Sequence, residues 1–349
     1  ARVVDGDRSI RIRLGPSGPD YCIVQTPSGV CCLDPVTGAV RWQRRDIPPD
    51  SGLYANEETG LFGDAERLVL VEGDQRTCRI LDTRTGEELR TATVPTGDVR
   101  RSRLAFGSRL LVIAADDEQS RFRLWDAATD EVIADIPAHH PPRSQRVDRN
   151  HAALVDGHGD VIVLDTRSGQ SVLRGPIPPE MLTSLTGFKV WHDTQRWFVQ
   201  TTHAGLHSGT SRTEPVASDV RLPNTPMNGL LSVYDRTRGS LLWNRPIDGR
   251  TMLQEPRRAL PFLVALSRNR EEHSTASAGM NLEVFDVETG LLLAQEKDLP
   301  RTEIVHSSFE PLAGEYTLHG EAMHFRIRFD LPGERALITA ENMAEFADR

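Results

Sequence analysis

Lysine is almost missing from this chain: of its 41 basic residues only Lys189 and Lys297 are lysines. The rest are arginine, which stays charged at every working pH, and the bias is read as GC-rich, bacterial coding. Cysteine is scarce too. The four, Cys22, Cys31, Cys32 and Cys78, make neither a disulfide framework nor a metal-binding spacing. Cys32 and Cys78 fall in apolar slots and read as buried packing residues. No apolar run approaches the ~20 residues of a membrane helix, so no transmembrane segment is expected. The net charge of −9 argues against a general nucleic-acid binder. No nucleophile elbow, phosphate loop or HExxH pattern occurs, so no catalytic, cofactor-binding or metal residue is assigned and no cofactor is expected. The chain opens Ala1-Arg2-Val3-Val4-Asp5, without Met or a leader, and reads as a piece of a longer protein. Oligomeric state stays open.

What the chain has in abundance is one recurring stretch, Val161-Ile162-Val163-Leu164-Asp165-Thr166-Arg167-Ser168-Gly169. It reads as a strand and a tight turn. Branched side chains suit a pleated surface, the Asp carboxylate can accept backbone N–H groups just downstream, and Gly supplies positive φ. The pattern returns around Asp34, Asp82, Asp126, Asp235 and Asp286, with Asp130 in the Gly slot of the third copy. The steps between aspartates are 48, 44, 39, 70 and 51 residues. Strands repeating at that period indicate a propeller-like array. Four residues before each Asp stand Val30, Cys78, Phe122, Val161, Leu231 and Leu282; two before stand Cys32, Ile80, Leu124, Val163, Val233 and Val284. The slot three before is mostly polar (Cys31, Arg79, Arg123, Ser232 and Glu283, with Ile162 the exception) and the slot one before is large and apolar, so the alternation is not clean; sheets covered on both sides by neighbours are expected to be mainly apolar on both faces.

The expected fold is therefore all-β: a seven-bladed β-propeller of four-stranded antiparallel blades, filling 1–349 as a single domain, with eight blades as the alternative. The last blade is the weakest match, since Phe329 takes the Asp slot and Asp330 comes one position late.

These copies resemble the repeat of quinoprotein-like β-propellers, roughly Leu-Asp-x-x-Thr-Gly-x-x-x-Trp. Leu33 to Trp42 and Tyr234 to Trp243 match through the Trp; the other copies carry Arg90, Ala134, Leu173 and Ala294 there. The resemblance implies either a cofactor-free scaffold of the bacterial envelope or periplasm, or a pyrroloquinoline-quinone-dependent dehydrogenase with an axial quinone and calcium. The adjacent Cys31-Cys32 is the feature closest to that enzyme's disulfide ring, but neighbours on a strand point to opposite faces. A non-catalytic scaffold binding a protein or peptide is the favoured reading, and the enzyme the alternative.

Length irregularity points to the binding surface. The link between second and third strands is short in blades one to four, long in blade five (about 202–228) and long again in blade six (about 267–280). Insertions in repeat folds tend to mark the binding face. Partner-binding candidates are His203, His207, Arg212, Arg221, Arg268, Arg270 and Glu271. Zinc needs three or four convergent ligands, and neither His139-His140 nor His203 with His207 supplies them. Deleting 208–220 is expected to leave the melting temperature nearly unchanged, and Gly169→Val to destabilise the turn.

Overall fold

The third strand of each repeat sets the architecture. The twelve side chains four and two places before the turn aspartates are all at most 1% exposed. Such strands need hydrogen-bonded neighbours on both edges, and hairpins supply them. The computed structural model describes residues 2–5, 8–47, 60–95, 103–116, 119–204, 213–217, 220–254, 259–269, 279–329 and 336–342. Contacts divide the chain into two compact units, 1–176 and 177–349.

The first unit holds four four-stranded antiparallel sheets, each in simple sequential order. Sheet one is Arg13–Ser17, Cys22–Thr26, Gly29–Leu33 and Val40–Arg44. Sheet two is Leu61–Gly63, Arg67–Val71, Thr77–Asp82 and Glu88–Thr93. Sheet three is Arg103–Phe106, Arg109–Asp116, Gln119–Asp126 and Glu131–Pro137. Sheet four is Ser144–Arg146, His151–Val155, Asp160–Asp165 and Ser171–Pro176. A two-stranded ribbon, Arg2–Asp5 with Arg8–Arg11, precedes them.

In the second unit two repeats share an eight-stranded sheet. The cause is the 13-residue strand Leu241–Leu253. Its first part pairs with Asn224–Asp235 to finish one repeat. Thr251 and Met252 then pair with Leu266 and Ala265, opening the next repeat without a break. Phe262–Asn269, Met280–Asp286 and Leu292–Leu299 complete it. The last sheet is four-stranded: Ile304–Glu310, Glu315–Gly320, Met323–Arg328 and Leu337–Asn342.

Each apolar core lies between consecutive sheets. Sheets one and two share Ile23, Cys32, Leu68 and Leu81. Sheets two and three share Ile80, Val112 and Trp125, and sheets three and four Phe122, Leu124, Leu154 and Ile162. In the second unit Trp243 and Val287 sit in one such core, Phe262 and Tyr316 in another.

The turns behave as their chemistry demands. Asp34 Oδ1 accepts the N–H groups of Val36 and Thr37 at 3.0 and 2.9 Å. The same pair of bonds recurs at Asp82, Asp165, Asp235 and Asp286. Asp130, in the Gly slot, has φ of 67°, as the pattern requires. The Thr85 N–H, opposed by partial desolvation and aided by the Arg84 N–H, holds the Asp82 carboxyl below its ordinary value. A carboxyl depressed in the folded state stabilises fully above its unfolded pKa of ~3.9 and loses that contribution as pH falls through the folded pKa. Urea midpoints measured from about pH 6 down to about pH 2 should fall steeply at the acid end, and less steeply in Asp82→Asn.

These turns also latch one sheet to the next. Trp42 Nε1 donates to the Thr83 carbonyl at 2.9 Å, and its ring lies where a Cβ on Gly86 would come within 2.5 Å. Trp243 Nε1 donates to the Val287 carbonyl at 2.7 Å and covers Gly290 in the same way. Arg90, in a Trp slot, sends its guanidinium to the equivalent Ala127 carbonyl and pairs with Asp130 at 3.1 Å. A register shift in the fourth strand precedes each of these slots, passing over Arg41, Leu89, Ile133, Val172, Leu242 and Leu293. Bulges of this kind re-aim side chains and blunt outer strands. Trp243→Phe should cost about 1–3 kcal/mol, because the Val287 carbonyl loses its donor inside the core; thermal unfolding measures it.

Candidate functional site

The long link of the fifth repeat is built into the fold. Thr213–Pro215 forms a short strand that pairs with Asn269, Arg268 and Ser267 at the extended end of Phe262–Asn269. Beyond it, Val216 N–H donates to Thr251 Oγ1 at 2.9 Å. Val216 and Val220, 2% and 6% exposed, join the core around Leu253, Phe262 and Ile304. Val220 bridges Ile304, and Arg221 N–H donates to the Ile304 carbonyl at 2.8 Å. A stretch that reads as polar and removable thus carries two apolar anchors four residues apart, which argues against deletion of 208–220 without thermal cost.

The candidate residues fall in different surroundings. Arg268 pairs with Glu214, tying the inserted strand to the next repeat. Arg221 is exposed at 61%; it pairs with Glu303 and lies 3.6 Å from Glu321. Both arginines stand at the end of the second unit's sheet opposite the Asp235–Gly239 turn. His203 is inside, 1% exposed. Its Nδ1–H donates to the Met181 carbonyl at 2.9 Å and its Nε2 accepts the Thr201 hydroxyl at 2.8 Å. Its ring therefore orders the strand end and presents no surface. His207, Arg212, Arg270 and Glu271 lie outside the described residues.

A second feature has no counterpart in the sequence reading. In the first unit the opening strands of all four sheets converge on a solvent-open cavity of about 430 Å³. Leu14, Phe62 and Phe106 give it apolar walls, and Arg146 and Arg149 give it positive charge. The Arg146 guanidinium lies 5.1 Å from the Phe106 ring centroid and donates to the Ala105 carbonyl. The signal was present only as a lone Arg146-Val147-Asp148-Arg149, which no local pattern distinguishes. Calcium takes six to eight oxygen ligands. This lining holds no carboxylate, amide or tryptophan, and its one side-chain oxygen is the Ser17 hydroxyl. A quinone with calcium does not fit here.

The cysteines give no help to that enzyme either. Cys31 and Cys32 are free thiols on successive positions of Gly29–Leu33. Burial pushes both up, and pushes Cys78 up to about 12. Thiolate chemistry at neutral pH is closed to a thiol so placed.

A family profile described as outer membrane protein assembly factor BamB matches residues 10–181 and 74–308. No curated protein sequence matches the chain. Among solved structures it is similar to BamB from Moraxella catarrhalis, at 13% identity over 95% of this chain and 87% of that one, with a TM-score of 0.40. It is similar to Kluyveromyces lactis Hsv2 at 10% identity, over 95% and 97% of the two chains, TM-score 0.38. It is also similar to the dihydro-heme d1 dehydrogenase NirN, in complex with DHE, at 13% identity over 95% and 67%, TM-score 0.38. None of these three is close enough to carry a residue's role across. Among the described residues no helix is long and apolar enough to cross a membrane.

Proposed function

Because the chain belongs to the PQQ-like-repeat β-propeller family described as outer membrane protein assembly factor BamB, we propose that it is a non-catalytic scaffold of the bacterial cell envelope that binds a protein or peptide. The seven sets of strands, two of them merged, are read as seven blades of one propeller domain. One observation carries the binding surface: the inserted link of the fifth repeat is held by strand pairing, an ion pair and two buried valines. A link anchored in this way presents a fixed surface, and a fixed surface binds without first losing the entropy of ordering. Arg221 and Arg268 flank it, each already paired with a carboxylate of the chain, Glu303 and Glu214. The family description supports the reading, since an assembly factor for membrane proteins acts on other chains.

The test places a photoreactive side chain at Arg221 or at Arg238, in turns at opposite ends of the same unit, and irradiates cells. Protein adducts at 221 and none at 238 are expected. Adducts only at 238, or at neither, would overturn the reading. Adding pyrroloquinoline quinone with Ca²⁺ should leave the absorption spectrum a simple sum of its parts; a new bound-quinone band would favour the dehydrogenase.

A further inference from the structure

The last sheet has two unlike faces. One carries Tyr316, Leu318, Phe325, Ile327 and Ile338, all in the second unit's core. The other carries a row of histidines. His306 pairs in register with His319, and His319 with His324. Opposed residues on neighbouring antiparallel strands share a face, so three strands bring three imidazoles side by side. The next strand continues the row with Glu341, in register with His324.

Two of the three rings aim nitrogens at one another. Ser308 Oγ lies 2.9 Å from His319 Nε2. With Nε2–H donating to that hydroxyl, His319 Nδ1 is left as a lone pair. It faces His324 Nδ1 at 3.1 Å. Two imidazole nitrogens so close must share either a proton or a cation. Two nitrogens on one tetrahedral zinc, each at 2.0–2.1 Å, stand ~3.3 Å apart. His306, exposed, stacks on His319 with ring centroids 4.1 Å apart and planes 6° from parallel. To join them as a third ligand, His306 has to turn out of that stack. A hydroxyl that fixes the tautomer of a ligating histidine is a recurrent outer-shell device. Along the same face Glu315 pairs with Arg326 at 2.8 Å and Arg328 at 3.1 Å, so the nearest arginines are already balanced by a carboxylate.

We infer that His306, His319 and His324 form a binding site for a divalent transition metal ion of the zinc type, oriented by Ser308. Imidazole sets select such ions over calcium or magnesium. This site lies next to the Arg221 end of the insertion, one pair along from Ile304 and Gly320, but metal uptake by its imidazoles stands or falls without the scaffold reading.

The probe is Co²⁺ titrated into the metal-stripped protein and followed by its visible d–d bands, with Zn²⁺ competing it out. One equivalent should bind with the intense absorption of low coordination number. His319→Gln and His324→Gln should each weaken binding by at least the 10- to 100-fold, to order of magnitude, that loss of even an outer-shell partner brings. His306→Gln, at an exposed position that folding does not depend on, should lose the intense bands while the far-UV circular dichroism stays unchanged. No uptake by the wild type, or uptake indifferent to all three substitutions, would overturn the proposal.

Discussion

Removing residues 213–220 should destabilise the second unit by several kcal/mol and broaden or abolish its cooperative unfolding. Val216 and Val220 are 2% and 6% exposed. Burying a valine contributes about 1.5–3 kcal/mol, so the pair accounts for roughly 3–6 kcal/mol before any backbone term. The cross-strand pairs of Thr213–Pro215 and the Arg221 N–H bond to Ile304 go as well. Total stabilities of folded domains are about 5–15 kcal/mol, so a loss of this size is decisive. Urea unfolding followed by tryptophan fluorescence, with limited proteolysis of the same sample, measures it. An unchanged midpoint would show that the segment only decorates the sheet. The double variant Val216→Ala, Val220→Ala should reproduce a substantial part of the loss with the backbone intact, which separates packing from strand pairing.

Gly169→Val should cost about 3 kcal/mol or more, while Gly38→Val costs only ~1–2 kcal/mol. Both glycines have φ of 71°, so both substitutions carry the same left-handed strain. The difference lies across the sheet boundary. A Cβ on Gly169 would come within 2.4 Å of the Ile133 carbonyl oxygen, a backbone atom at the bulge of sheet three. At Gly38 no atom lies within 4 Å of that point. Relief at Gly169 requires sheet three to move away from sheet four, and their shared core resists it. Matched thermal melts of the two variants decide the point. Equal losses would mean that the turn, not the packing of one sheet on the next, sets the cost.

Much of this was legible in the residues. The Asp-to-Gly turn is a local device, its bonds spanning two to four residues, so its spacing can be seen without knowing what lies nearby. Trp42 and Trp243 were visible as the closing Trp of the repeat pattern that their two copies match in full. Arg90 was not visible as their equivalent, because a guanidinium and an indole share no pattern; they share only the carbonyl they reach. A second set of aspartate turns, at Asp64, Asp148 and Asp193, joins first and second strands in the same way. It escaped notice because no glycine follows at a fixed distance. His203 was placed at a surface because its neighbours in the chain are polar, whereas burial follows neighbours in space.

The amino-acid order alone determined the repeat, the hairpins and the turn chemistry, since all three rest on interactions between residues close in the chain. Only the tertiary structure decided which of the remaining side chains matter. Val216 and Val220 became core, Arg146 and Arg149 came to line a cavity, and His306, His319 and His324 formed a row. Each outcome depends on the register between strands or on the seating of one sheet against another. Those are set by the summed packing of whole sheets, and no short window of residues contains that sum.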